Sequence, residues 1–122
     1  MFDLTKDAKG FYRLAISGKI DEDDMKKGLD AFLAVTDAAP KTDFLYTISE
    51  FELPTFQAIA VEFGYFPRLF GCLNRIGKVA LVADQTWLRK AAEIEAFLIP
   101  GLSIETFEED QEPEAIAWLT KP

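Results

Sequence analysis

The chain has 122 residues, no histidine and a single cysteine, and 21 acidic residues against 13 basic ones leave it a net charge of −8. That length gives one domain, 1–122, with a core of its own. The charge opposes a nucleic-acid phosphate backbone, the absent histidine removes Ser-His-Asp and Cys-His nucleophiles and the usual zinc sites, and Cys72 alone cannot make an internal disulfide.

No apolar run approaches the roughly 20 residues of a membrane span. Met1 to Asp7 lacks the basic start and apolar stretch of a secretory signal, so a cytoplasmic location is expected.

Met1 to Asp7 supplies a short edge strand, closed by the polar turn Lys6-Asp7-Ala8-Lys9-Gly10. Tyr12, Leu14 and Ile16 then alternate with Arg13 and Ser17, which predicts a strand with one better-buried face. Asp21 is placed to cap the next helix. Glu22, Asp23 and Asp24 in its first turn oppose the helix dipole, and this charged start, not a metal site, is the reading of the cluster. Met25, Leu29, Phe32 and Leu33 follow at helical spacing, and Pro40 stops the helix.

Phe44 to Ile48 is the next strand, and Thr55 is set to cap a second helix with Phe56, Ile59, Ala60 and Phe63 on its apolar face. Gly64 and Pro67 predict a break near Phe66, with a shorter helical piece from Pro67 to about Leu73. Gly77-Lys78-Val79-Ala80-Leu81-Val82-Ala83 reads as a buried central strand. Thr86 is expected to cap a third helix carrying Leu88, Ala92 and Ile94, which Pro100-Gly101 ends. Leu102 to Phe107 is the last strand. After an acidic loop, Pro113 opens a closing helix with Ala115, Ile116, Trp118 and Leu119.

The order β-β-α-β-α-β-α-β-α predicts an α/β fold, a five-stranded and mostly parallel sheet with an N-terminal edge strand. Every strand but the central one has a more apolar face, so the helices are expected mostly on one side.

Two stretches bear on function. The segment 56–70 concentrates Phe56, Phe63, Tyr65, Phe66 and Phe70 around Gly64 and Pro67. These rings either build the core, line a cavity or face a partner. Phe56, Phe63, Phe66, Phe70 and Trp87 are therefore the expected holders of a small apolar or lipid-like ligand, although Trp87 reads first as a core anchor. Tyr65, Phe66, Arg68 and Phe70 are the expected interface of a homodimer. Ligands of open parallel sheets sit beyond the carboxyl ends of the strands, here Lys19-Asp21, Glu50-Thr55, Asp84-Thr86 and Glu108-Pro113. Cys72 reads as a small buried residue. Gly10 and Gly18-Lys19 lack the spacing of a phosphate loop, and no motif implies a cofactor, a metal or catalysis.

Ile16-Ser17-Gly18-Lys19-Ile20-Asp21, Gly77 to Asp84 and Glu114 to Leu119 together resemble the SpoIIAA-like family of small bacterial proteins. The resemblance implies the STAS-type fold, a wound β-α superhelix related in outline to the lipid-binding CRAL-TRIO domains, and a non-enzymatic regulatory module acting through protein contacts. Anti-sigma-factor antagonists of that type carry an Asp-Ser-Ser/Thr-Gly element whose hydroxyl is phosphorylated. The matching Phe51-Glu52-Leu53-Pro54-Thr55-Phe56 offers Thr55 alone, without the Asp-Ser pair or the glycine, and beside the repelling Glu50 and Glu52. The expectation is a module without a clear phosphoswitch, with an apolar-ligand carrier as the alternative.

Overall fold

The computed structural model describes residues 2–38, 41–53, 55–98 and 103–121, and only the backbone at 91 and 94–98. Two hairpin strands start the chain, Phe2–Lys6 (β1) and Tyr12–Ser17 (β2). They pair antiparallel, Leu4 opposite Leu14. The turn between them is tied by Asp7, whose carbonyl accepts from Gly10 N at 3.0 Å and whose carboxylate accepts from Lys9 N at 2.9 Å. Gly10 takes φ +101°, a left-handed conformation that disfavours a side chain.

The remaining strands, Thr42–Ser49 (β3), Ile76–Ala83 (β4) and Ser103–Phe107 (β5), join in parallel, and the sheet order is β1-β2-β3-β4-β5. Each neighbour is next in sequence, so the chain winds across the sheet in one direction. The middle place falls to β3, with β4 beside it inside the sheet.

The strands' two faces separate by residue parity. Leu14, Tyr46 and Leu81 share one row across β2, β3 and β4, and Arg13, Leu45, Ala80 and Glu105 share the next row on the opposite face. The first, oilier face receives three helices. Glu22–Ala38 (α1) presents Met25, Leu29 and Leu33 to a core with Ile16, Phe44 and Ile76. Thr86–Leu98 (α3) lays Leu88 and Ala92 against Ile48, Leu81 and Ile104. Phe56–Gly71 (α2) lies chiefly against α1, and its Ala58 and Tyr65 join the same core as Ile16, Phe44 and Ile76.

The second face receives only Glu112–Thr120 (α4), whose Ala115 and Leu119 pack with Phe11, Leu45, Ala80 and Val82. Lys78 explains the basic residue within β4. Its Nζ donates to the carbonyls of Trp118 at 3.2 Å and Lys121 at 2.8 Å, satisfying the end of α4. The expected one-sided cladding is therefore what α1, α2 and α3 provide, and α4 closes the small apolar island that Leu45, Ala80 and Val82 leave behind.

Two local expectations are corrected. α2 runs unbroken through Pro67, because the ring sits on the exposed side where the carbonyl of Phe63, left without an amide partner, lies next to water. Thr86 is the first residue of α3, not its cap. The Leu88 amide donates to the carbonyl of Gln85, and the Thr86 hydroxyl accepts from Arg89. Asp21 does cap α1, accepting from Asp24 N at 2.8 Å. Pro40 and Pro100-Gly101 lie outside the described residues, as does the side chain of Ile94.

Candidate functional site

α2 leans on α1, and between the sheet and the three helices above it a space is left open. The space is an apolar cavity of about 540 Å³. Its floor is the oily face of the sheet, with Leu14, Ile16, Phe44, Tyr46, Val79 and Ile104. Met25 and Leu29 of α1, Leu69 of α2 and Trp87 and Leu88 of α3 make the walls. Glu62 is the one ionisable carboxylate on the wall among the described residues.

The rim is held by backbone bonds at the carboxyl ends of the strands. Gly18 N donates to Glu50 O at 3.1 Å, Glu52 N to Gly18 O at 3.2 Å, and Thr55 N to Ile20 O at 3.2 Å. Glu50 takes φ +49° within this ladder, and its amide donates to the Asp84 carboxylate at 3.3 Å. At the far side, the Trp87 indole donates to Gln85 Oε1 at 2.6 Å and meets Phe51 edge-on at 5.9 Å. Trp87 remains 52% exposed, so it is a rim residue and not a core anchor.

Of the residues expected to hold a ligand, Trp87 lies on the cavity wall. Phe56, Phe63 and Phe70 point outward from α2, with 88%, 61% and 62% of their surface exposed. Phe66 is half-buried between them, 5.0 Å from Phe63 and 5.9 Å from Phe70, ring to ring. The aromatic segment thus belongs mainly to an outer surface, and the cavity is built from strand and helix aliphatics together with rings from other elements, such as Phe44, Tyr46 and Phe51. Sequence reading could have found the cavity only through the mismatch between α2, apolar on nearly every side, and its two buried residues, Ala58 and Tyr65.

Of the residues expected at an interface, Tyr65 is buried and donates its hydroxyl to Asp30 Oδ1 at 2.6 Å, and that bond raises its pKa. Arg68 lies over the Tyr65 ring at 4.6 Å. Arg75 pairs with Asp37 at 2.8 Å in its own chain. Thr55 caps α2, its hydroxyl accepting from Ala58 N at 3.1 Å. Cys72 is buried, and loss of hydration pushes its thiol pKa up. No cluster of three His, Cys, Asp or Glu side chains suited to a metal ion occurs among the described residues, and no helix there is long and apolar enough to cross a membrane.

The fold has solved counterparts. An uncharacterized protein from Shewanella loihica PV-4 with a SpoIIAA-like fold superposes with a TM-score of 0.75 over 98% of this chain and 92% of its own, at 14% identity. The anti-sigma factor antagonist SpoIIAA, in its unphosphorylated form, superposes with a TM-score of 0.58 over 96% of this chain and 98% of its own, at 11% identity. No curated protein is significantly similar in sequence. The SpoIIAA-like family model matches residues 11–120, which takes in every strand and helix except β1, and the chain belongs to the SpoIIAA-like family.

Proposed function

We propose that the chain is a non-enzymatic, cytoplasmic regulatory module that carries or senses a small apolar ligand in the cavity between the sheet and α1, α2 and α3. The observation that carries this reading is the make-up of the cavity, about 540 Å³, lined almost wholly by aliphatic and aromatic side chains and open at the Trp87 rim. That volume lies within the roughly 300–1,000 Å³ of small-molecule sites. Such walls give water little to bond to, so an apolar molecule is the occupant that suits them. One carboxylate, Glu62, without histidine or a second acid on the described walls, supports binding over acid-base chemistry.

A second reading, a module acting through protein contacts, is favoured by the outward rings of α2. Thr55 supports a module without a phosphoswitch, because its hydroxyl already serves as the cap of α2.

The test combines native mass spectrometry of freshly purified protein with titration by the neutral probe N-phenyl-1-naphthylamine. Co-purified mass, or saturable probe uptake that Val79→Phe reduces at least tenfold, is expected, since the new ring fills the floor. A clean protein mass together with no saturable uptake would remove the reading.

A further inference from the structure

We infer that the outer face of α2 is a two-fold interface for a second copy of this chain. The inference stands apart from the cavity, which lies on the other side of the helix.

The exposed face of α2 consists of Phe56, Gln57, Ala60, Phe63, Gly64, Pro67, Phe70 and Gly71, with Arg68 at its edge. At about 100° per residue the three phenylalanines, seven apart, fall in one row, Gln57, Gly64 and Gly71 fall in a second row beside it, and Ala60 and Pro67 lie between. A half-turn about an axis between 63 and 64 exchanges the rows. It sets Phe63 on Gly64 of the partner, Phe56 on Gly71 and Pro67 on Ala60, three large residues against small ones, and Phe70 on Gln57 at the end of the row. This self-complementarity is the requirement of a closed two-fold pair, and an unrelated partner has no reason to match it. Both glycine notches are open, since a Cβ built at Gly64 or Gly71 meets nothing of its own chain within 4 Å.

Charge and area agree. Copies carrying a net charge of −8 repel each other, yet this face carries no charged residue, Arg68 standing at its margin. The three rings expose about 400 Å² per copy, taking about 200 Å² for a whole side chain. A pair therefore buries about 800 Å² from rings alone, and the flanking small residues bring it to about 1,000 Å², the lower limit of a specific interface. A reversible dimer follows, not an obligate one.

Sedimentation velocity on the 122-residue chain, from about 5 μM to about 1 mM, tests it. A concentration-dependent monomer–dimer equilibrium is expected, with Phe63→Ser raising the dissociation constant at least tenfold. Gly64→Leu gives the decisive sign. It enlarges the exposed apolar surface, so unspecific stickiness would tighten association, whereas a filled notch weakens it at least tenfold while circular dichroism stays that of the native fold. A strictly monomeric chain at the highest concentration, or a dimer that Gly64→Leu leaves alone or tightens, overturns the assignment.

Discussion

Tyr65 donates its hydroxyl to Asp30 at 2.6 Å and so clasps α2 to α1 across 35 residues of sequence. Arg68 covers the same ring. Tyr65 is one of only two buried residues of α2, with Ala58, and this clasp is a polar tie that helps hold the helix above the cavity. Tyr65→Phe keeps the ring and removes the bond, for a loss of about 1 kcal/mol. The loss is expected to concentrate in α2, whose amides exchange hydrogen faster while those of β3 and β4 do not. The bond to Asp30 raises the Tyr65 pKa, so the stability it gives is complete below the ordinary phenol value and fades as pH climbs past it. A variant with unchanged α2 exchange would show that packing alone seats the helix.

Gly28 and Phe2 form a second long-range pair. The edge-strand ring lies so close over α1 that a Cβ at position 28 overlaps it. Gly28→Ala should therefore destabilise by about 1–3 kcal/mol, although alanine is the better helix former by about 1 kcal/mol. Adding Phe2→Ala removes the obstacle, so the double variant should lose at least about 1 kcal/mol less than the two single losses combined. Urea unfolding of the four proteins measures this. Strict additivity would mean the ring swings aside freely and β1 is loosely held.

Both pairs illustrate what the sequence does and does not disclose. Strand parity in Tyr12-Leu14-Ile16 and Phe44-Tyr46-Ile48, the Asp21 and Thr55 caps and Pro113 are local signals, and they yield element order and the side on which α1, α2 and α3 pack. Lys78 lies within a strand that reads as buried, and it reaches the end of α4, a distant partner that periodicity does not reveal. The cavity is hidden for the same reason. Whether α2 lies on strands or on α1 depends on contacts such as Tyr65 to Asp30, and no spacing encodes them. The rings of 56–70 were visible as rings, and which way they point was not, because α2 is apolar on nearly every side.

Cys72 titrates in the opposite sense to a reactive thiol. Burial raises its pKa, and its thiol donates to Leu69 O at 3.1 Å. The folded state holds the proton more tightly than the unfolded chain does. Its contribution is therefore complete below the unfolded value near 9.0 and is lost as pH rises through the higher folded one. Native protein is expected to react with a disulfide reagent at neutral pH only as fast as it opens, and unfolded protein at once. Cys72→Ala should also flatten the fall in urea midpoint between about pH 8 and 10. Rapid native labelling would place the thiol at the surface and cancel both expectations.

Pro67 is the remaining irregularity of α2. Its missing amide leaves the carbonyl of Phe63 without a helical donor, on the exposed side of an otherwise continuous helix. Pro67→Ala restores that bond and the helix propensity, worth about 3 kcal/mol in an unstrained interior. Against this stands the freer unfolded chain, about 0.4–1 kcal/mol, and whatever bending the helix already tolerates at the proline. A net gain of about 1–2 kcal/mol and a higher melting temperature are expected. The same change shrinks the residue that faces Ala60 of the second copy, so the dimer should weaken while the monomer grows more stable. Opposite movements of the two quantities are diagnostic, because a general improvement of α2 would raise both. A melting temperature that falls would instead mean that a bend at Pro67 is what fits α2 over α1.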